Sequence, residues 1–252
     1  MIPNKRRPIK RLVNEYKAGE GQAQVLDSPS QLTNVLWRAH KGELGTRNVA
    51  IVWMLFGAGM RINEVAQLKV RDVYWPNGEL KKTFIIPASY TKTHKSRAAY
   101  IVVRQQRQAI EDWRQQRLDE KAMLSDDGSY GGLRGDSPLF LSKKKGWRKF
   151  AMNAKRYETK DGITETLVCS SLENLLRKLL KEAGIQGGSS HSGRRTLASW
   201  LDRSGCDLEL IRYVLSHESP EQTLEYIDPS RDRIAAAFKT ILTGLKVPKE
   251  LS

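Results

Sequence analysis

Hydrophobic residues recur every three or four positions over most of the chain, and this spacing predicts a mainly helical protein. Glycines and prolines, with Ser or Asp as capping residues, mark where the helices begin and end. Helices are predicted over about residues 29–41, 46–56, 62–68, 109–124, 170–184, 192–205 and 208–217. The second helix is apolar on nearly every side, so we expect it to lie in the middle of the core.

The pattern changes between residues 69 and 103, where β-branched and aromatic residues predict antiparallel β-structure. A turn is expected at Pro76-Asn77-Gly78, and Lys92 falls at the end of a hairpin that closes through a polar turn. Strands are predicted, in chain order, at 73–75, 84–86, 99–103 and 139–141. The fold class is therefore α+β, mainly helical, with a small antiparallel β-sheet.

Composition divides the chain into three parts. Residues 1–24 form a basic leader, whose apolar positions suit one short amphipathic helix. Residues 25–230 form the folded body. Residues 231–252 form a C-terminal helix and tail with an apolar stripe of Ile234, Phe238, Ile241 and Leu242. We expect the stripe to pack either on the chain's own core or on a second copy of the chain.

Charge indicates a polyanionic partner. The 252-residue chain carries a net charge of +15, which favours nucleic acid first and an anionic membrane surface second. A highly charged, solvated surface is the plain alternative, and the basic, aromatic stretch 143–161 is either a DNA-facing excursion or a solvated loop. The candidate DNA-binding residues are Lys5, Arg6, Arg7, Lys10, Arg11, Lys95, Arg97, Lys143, Lys144, Arg148 and Arg195.

Several classes of protein are disfavoured by what the sequence lacks. Cys169 and Cys206 are its two cysteines, too few for a disulfide framework, and four histidines without a Cys-x-x-Cys pair make a structural zinc site improbable. The N-terminus has no apolar run of the kind a signal peptide needs, and no stretch is long enough to span a membrane. We therefore expect an intracellular, cytoplasmic protein with reduced thiols.

One C-terminal segment carries residues suited to phosphodiester chemistry. His191 and Arg194 open a predicted helix, His217 ends the next one, and Tyr226 follows on a turn of helix that starts at Pro220. Arginine and imidazole can neutralise a phosphoryl transition state, and a tyrosine can attack phosphorus. Each residue alone has an ordinary alternative, such as a plain helix start or an exposed phenol.

An upstream arginine completes this set. Arg61 is predicted at a helix N-terminus, with Glu64 one turn later and able to orient it. The plain alternatives are a surface ion pair for Arg61 and an ordinary exposed lysine for Lys92.

Arg61, Lys92, His191, Arg194, His217 and Tyr226, in this order, resemble the active site of the tyrosine recombinase (phage integrase) family. The sequence Gly-Met-Arg-Ile-Asn-Glu at 59–64 is similar to the family's first arginine box, and His-Ser-Gly-Arg at 191–194 to its His-x-x-Arg box. The resemblance covers about residues 25–245. Gly193 stands where leucine is frequent in the family, and Ser216 where glycine is frequent.

The resemblance implies a catalytic domain over residues 25–230 that cuts and rejoins double-stranded DNA, as in integration, excision or inversion. Tyr226 would form a 3′-phosphotyrosine, with Arg61 and Arg194 bracing the phosphate and His217 adding a hydrogen bond. Lys92 would protonate the leaving oxygen, and His191 would assist the nucleophile. No cofactor, metal or ATP is implied.

The resemblance also implies partners and a setting. A homo-tetramer on two DNA sites, linked through the C-terminal helix, is expected in a nucleoid-associated enzyme of a prokaryote, phage or mobile element. An accessory DNA-binding protein is a further possible partner. The usual N-terminal core-binding domain has no counterpart, which suggests a minimal member or an excised catalytic domain. Two other functions stay open: DNA relaxation as in type IB topoisomerases, and DNA binding by a catalytically silent protein of the same fold.

Overall fold

The computed structural model describes residues 23–91, 94–144, 146–159, 162–216, 220–224 and 226, with the backbone alone for 156–159, 162–166, 221 and 222. Residues 1–22 of the predicted leader, the C-terminal stripe, Lys92 and His217 lie outside these residues. Within them, no helix combines the length and the apolar character needed to cross a bilayer.

The described helices and strands belong to the predicted α+β class, although some strands differ from the prediction. The helices are α1 Pro29–Ala39, α2 Gly45–Phe56, α3 Ile62–Gln67, α4 Val70–Val73, α5 Arg104–Asp119, α6 Ser129–Gly132, α7 Ser170–Glu182, α8 Ser192–Arg203, α9 Leu208–Leu215 and α10 Pro220–Leu224. The strands are β1 Thr83–Ile86, β2 Arg97–Tyr100, β3 Asn153–Thr159 and β4 Gly162–Val168. β1 pairs with β2 and β3 with β4, both antiparallel.

Helix α2 lies in the middle of the core, as its all-round apolar sequence predicts. Val52 and Met54 are fully buried, and the helix packs against α1, α5 and α8. Arg47, in its first turn, is also buried, because its guanidinium donates to the Leu141 carbonyl and to Asn48 Oδ1. The central helix therefore holds a neighbouring loop through a buried cation as well as through apolar contacts.

The strand predicted at 73–75 is not formed. Residues Val70–Val73 make the short helix α4, since the Lys69 N–H donates to Asp72 Oδ2 in a capping box. Tyr74 makes a single bridge with Leu80 across the predicted Pro76–Gly78 turn. The later strand is also shorter than predicted and ends at Tyr100, because Val103 already caps α5.

The strand predicted at 139–141 is likewise absent, although its residues are buried as expected. Side-chain donors take the place of a partner strand. Trp113 Nε1 donates to the Leu139 carbonyl over 2.8 Å, and Arg117 Nη1 donates to the Pro138 carbonyl over 2.9 Å. The Leu139 and Leu141 carbonyl groups thus accept from side chains rather than from a partner strand, and the segment stays an irregular buried chain.

The basic stretch 143–161 contains the whole of an unpredicted strand, β3, which pairs with β4 in a hairpin. Its base is fixed to α3 by one side chain. Asn63 Nδ2 donates to the Leu167 carbonyl over 2.7 Å, and Asn63 Oδ1 accepts from the Cys169 N–H over 2.9 Å. The hairpin therefore starts beside the helix that carries Arg61.

Helix α8 approaches the α2 backbone closely at Gly193. A Cβ atom there would lie 2.6 Å from the Leu55 carbonyl oxygen, a distance that backbone atoms cannot relieve without shifting a helix. The departure from leucine at this position therefore has a steric reason in this chain.

We expect Gly193→Ala to lower the free energy of unfolding by about 1–2 kcal/mol, measured by urea denaturation. Alanine in a helix ordinarily gains about 1 kcal/mol over glycine, but overpacking a tight contact costs about 1–3 kcal/mol. Gly193→Leu should be worse, because its longer side chain meets the same backbone. A gain in stability for the alanine variant would show that the two helices are not in contact at this point.

Candidate active site

Arg61 lies at the N-terminal cap of α3, directly after the turn that ends α2. Gly59 has a positive φ of 60° in this turn, where a side chain would also meet Leu197. Arg61 Nη1 donates to Glu64 Oε1 over 2.9 Å, and the Arg61 backbone N–H donates to Glu64 Oε2 over 2.7 Å. One carboxylate therefore caps the helix and holds the arginine, whose side chain is 27% exposed and accessible to a ligand.

A second arginine, Arg97, binds both oxygens of the same carboxylate. The prediction that Arg97 contacts DNA is wrong, because this side chain is only 2% exposed and points inward from β2. Arg97 Nη2 lies 2.5 Å from Glu64 Oε2, and its Nε lies 3.3 Å from Oε1. Glu64 thus bridges two guanidinium groups, one buried and one partly open.

Burial and charge act in opposite directions on Glu64. Burial alone would raise the pKa of this carboxyl group, but the charge and hydrogen bond of Arg97, and then the charge of Arg61, outweigh burial. The pKa of Glu64 is therefore lowered, and the group is ionised at neutral pH.

Arg194 is buried in α8 at the centre of the site. Its Nη1 donates to the Gly59 carbonyl over 2.7 Å, and its Nη2 donates to the Leu215 carbonyl over 2.5 Å. Its Nε is buried and finds no acceptor among the described residues. Burial lowers the pKa of Arg194, and the charges of Arg61 and Arg97 lower it further, yet a guanidinium stays cationic at neutral pH.

The three guanidinium groups outnumber the one carboxylate among them. Glu64 forms ion pairs with Arg61 and Arg97, and its charge also acts on Arg194. Arg97 and Arg194 both donate to the Gly59 carbonyl. Such an excess of positive charge suits an anionic ligand.

The Tyr226 hydroxyl group lies next to this cluster and to an imidazole. Its oxygen is 3.3 Å from His191 Nδ1, and the two rings are 6.4 Å apart at an angle of 71°. Arg194 Cζ lies 6.0 Å from the centroid of the Tyr226 ring. A nucleophile, a group able to take its proton and a cation therefore meet at one point.

Tyr226 packs against helices α8 and α9. Its ring packs against a small apolar cluster made of Ala198, Ile211 and Leu215. Ser199 Oγ donates to the Tyr226 carbonyl over 3.2 Å, which ties the tyrosine backbone to α8. The helix that carries Arg194 thus also positions Tyr226.

Arg61, His191, Arg194 and Tyr226 are brought together, whereas Lys92 and His217 lie outside the described residues. A chain neighbour of His217 does reach the site. Leu215, two residues before His217, accepts from Arg194. Thr91 is buried, and its Oγ1 accepts from the Lys95 N–H over 3.1 Å, which closes the loop around Lys92 at its base.

The remaining candidate DNA-binding residues divide by exposure. Lys95, Lys144 and Arg148 are exposed, and Lys143 is partly exposed but paired with Glu43 and Glu120. The prediction for Arg195 is wrong, because it is buried and its Nη1 donates to the Ala23 carbonyl. The five leader residues, Lys5, Arg6, Arg7, Lys10 and Arg11, lie outside the described residues.

Two residues near the site were missed as supporting groups, namely Arg97 and Thr91. A sequence signal existed for Arg97. It stands two positions before Ala99 in a predicted strand, and residues two apart point to the same face. Since Ala99 is an inward position, Arg97 should have been expected in the interior with an acidic partner. Thr91 gives no such signal, because its role depends on the path of the loop.

Ser216 departs from the glycine that is frequent in the family, and its backbone shows why glycine is favoured there. It follows the last residue of α9 with φ 49° and ψ 54°, the left-handed conformation that disfavours side chains. Its Oγ lies 3.5 Å from the Tyr213 carbonyl, which is at most a weak compensating hydrogen bond.

We expect Ser216→Gly to raise the free energy of unfolding by about 1 kcal/mol, because the left-handed strain disappears. Ser204→Gly is a matched control, since Ser204 ends α8 with an ordinary φ of −78°. This control should destabilise the protein, because glycine adds unfolded-state freedom without relieving strain. Chemical denaturation of both variants tests the pair, and equal shifts would contradict the argument from backbone strain.

Comparison with known proteins gives a consistent result. Residues 28–233 match the family model described as "Phage integrase family". The chain is 24% identical over 196 residues to tyrosine recombinase XerC of Bifidobacterium longum (strain DJO10A), which covers 76% of this chain and 47% of that protein. The chain spans about half the length of the curated relatives it matches.

Solved structures show the same fold. The XerA recombinase superposes with a TM-score of 0.61 at 22% identity, covering 88% of this chain and 66% of that one. A XerH recombinase, described as bound to palindromic difH substrate in a post-cleavage complex, gives a TM-score of 0.59 at 21% identity, covering 85% and 52%. The mainly helical α+β prediction is therefore confirmed.

Proposed function

Because this chain belongs to the phage integrase family, we propose that it is a site-specific DNA recombinase that cuts and rejoins DNA through a 3′-phosphotyrosine. The observation that carries the proposal is the placement of the Tyr226 hydroxyl group 3.3 Å from His191 Nδ1 and beside the Arg194 guanidinium. Double-stranded DNA is the proposed substrate. In support, the similar XerH recombinase is described as bound to its difH substrate.

In the proposed reaction, the Tyr226 oxygen attacks the scissile phosphorus and its proton passes to His191. The bond from phosphorus to the 5′-oxygen breaks, and Lys92 supplies the proton that this oxygen needs. The 3′-end is then held on the tyrosine. Attack by a 5′-hydroxyl group of the same or another strand reverses the step and reseals the DNA without an external energy source.

Arg61 and Arg194 would neutralise the non-bridging oxygens of the phosphate, and His217 would add a hydrogen bond. The buried Nε of Arg194, which finds no acceptor among the described residues, supports this role, because a phosphate oxygen would supply one. The partly open Arg61, held by Glu64, can approach a second oxygen.

The wider organisation is part of the proposal. Residues 25–230 would be the catalytic domain, a range close to the family match, with 1–24 as a basic leader that adds phosphate contacts. Four copies would act on two DNA sites, linked through residues 231–252, at the nucleoid of a prokaryote or on a mobile element. An accessory DNA-binding protein would increase the affinity of the complex for the duplex.

Trapping of the covalent intermediate tests the function. The protein is incubated with sheared genomic DNA of the encoding organism that has been nicked at random, so that a cleaved strand next to a nick cannot religate. Detergent-resistant adducts are recovered and sequenced, and the modified peptide is identified by mass spectrometry. We expect adducts at one recurring sequence with DNA linked to Tyr226. No adduct, or one on another residue, would overturn the proposal.

A second arm separates recombination from relaxation. Two plasmids that carry the recovered sequence are incubated together with the protein. Joined or exchanged plasmids support a recombinase, whereas relaxed plasmids without exchange would identify a topoisomerase-like activity instead.

A further inference from the structure

We propose that Arg97 is a positioning residue that orients both proposed catalytic arginines, Arg61 through the Glu64 carboxylate and Arg194 through the Gly59 carbonyl. This inference rests on the proposed function, since it assigns Arg97 a role in the same phosphoryl-transfer step. Arg97 itself would not touch the DNA.

The geometry places Arg97 on both acceptors that hold the other two arginines. Glu64 accepts from Arg97 and from Arg61, and each of the two arginines donates to both carboxylate oxygens. The Gly59 carbonyl accepts from Arg194 Nη1 over 2.7 Å and, at a longer 3.4 Å, from Arg97 Nη2. Arg97 is therefore the one described side chain that contacts both a partner of Arg61 and a partner of Arg194.

Charge strengthens the link to Arg61. Glu64 is buried, and burial alone favours its neutral form, which could not attract a guanidinium group. The Arg97 charge is the largest factor that keeps the carboxylate ionised. Removal of that charge would weaken the grip of Glu64 on Arg61 even where the side chains do not move.

Arg97 also connects two elements of the fold. It opens β2, directly after the loop that contains Lys92, and the loop base is closed by Thr91. The ion pair with Glu64 thus joins this hairpin to the N-terminus of α3. Positioning of the arginines and attachment of β2 to α3 therefore share one buried contact.

Stability alone gives a weak reason for such a pair. A buried ion pair can often be replaced by well-packed apolar residues without loss of stability, because its desolvation cost offsets its attraction. The Arg97–Glu64 pair is linked to Arg61 and, through the Gly59 carbonyl, to Arg194, and this location favours a functional role for the pair.

The test uses Arg97→Lys, which keeps a buried cation but loses the planar fork that binds both Glu64 oxygens. Its matched control is Arg117→Lys, because Arg117 is equally buried and binds backbone carbonyls far from the site. Thermal unfolding is measured for both variants, and rates are compared at a temperature where each is folded.

Single-turnover adduct formation is measured on the nicked duplex that the wild-type protein selects. We expect Arg97→Lys to slow it about 10- to 100-fold, by analogy with residues that orient the ligands of metal sites, with unchanged DNA affinity. Arg117→Lys should keep the wild-type rate. In a Glu64→Gln background, Arg97→Lys should add little, because the two residues act as a unit.

A second substrate separates positioning from general disruption. A methylphosphonate at the scissile position has one non-bridging oxygen replaced by a methyl group, so it needs less charge neutralisation. The Arg97→Lys penalty should shrink on this substrate if Arg97 acts by positioning arginines. An equal penalty on both substrates, or an equal loss in Arg117→Lys, would overturn the inference and leave the recombinase function intact. Failure of the wild-type protein to form a Tyr226 adduct would overturn both.

Discussion

We expect Tyr226→Phe to abolish the covalent protein–DNA adduct completely and to leave DNA binding unchanged. The substitution removes the hydroxyl oxygen, the atom that would attack phosphorus, and nothing else. The remaining ring can still pack on Ala198, Ile211 and Leu215, so α8 and α9 should keep their arrangement. Detergent-resistant adduct on the selected nicked duplex measures the first effect, and an electrophoretic mobility shift measures the second.

Tyr213→Phe is the matched control for this prediction. Tyr213 lies on α9, is 66% exposed and offers a phenol to solvent at a short distance in sequence from Tyr226. This variant should form the adduct at the wild-type rate. If Tyr226→Phe still forms an adduct and Tyr213→Phe does not, the nucleophile has been assigned to the wrong tyrosine.

The helical part of the fold was predictable because helices obey a local rule. α2 extends over Gly45–Phe56 where 46–56 was predicted, and α7, α8 and α9 begin at or within one residue of the predicted starts. Asp207 was identified as a cap, and its side chain accepts from the Leu210 N–H. Apolar spacing and capping residues contain this information within a few positions of each element.

The strands were less predictable than the helices, because strand formation depends on pairing and packing partners that the segment's own residues do not specify. The segment 139–141 has the composition of a strand, but Trp113 and Arg117 supply its hydrogen bonds from α5. The β3–β4 hairpin was hidden in a basic, polar stretch with no apolar alternation. For 139–141 the deciding contacts come from a distant helix, outside the window in which a pattern can be read. β3 and β4 pair locally, and β3 was missed because it lacks the apolar alternation that predicts a strand.

The candidate site shows the same division. The order of Arg61, His191, Arg194 and Tyr226 was readable, and the described structure brings these four together. The groups that hold these four residues in place were harder to predict from the sequence. No spacing reveals that the Gly59 carbonyl accepts from Arg194. The inward turn of Arg97 to Glu64 did have a signal, since Arg97 stands two positions before the buried Ala99. The residue type of an arginine does not show whether its side chain is exposed or buried, which explains the errors at Arg97 and Arg195.

We expect Arg194→Lys to slow adduct formation about 10²- to 10³-fold, the cost typical of losing one preorganised oxyanion donor. Arg194 spans the Gly59 and Leu215 carbonyls with a planar fork, and a lysine ammonium cannot reproduce that geometry while also serving a phosphate. One buried carbonyl should lose its donor, which costs about 1–3 kcal/mol of stability. Single-turnover kinetics and urea denaturation measure the two effects separately.

Arg195→Lys distinguishes the two effects, because it alters the next arginine in the same helix. Arg195 is buried like Arg194, but its Nη1 donates to the Ala23 carbonyl, at the entry to the body rather than at the site. This variant should lose stability and keep its rate of adduct formation. If the two variants lose stability equally and rate equally, the kinetic defect of Arg194→Lys reflects a loosened α8. A defect confined to Arg194→Lys instead supports contact between the Arg194 guanidinium group and the phosphate, because Arg194, unlike Arg195, lies beside the Tyr226 ring.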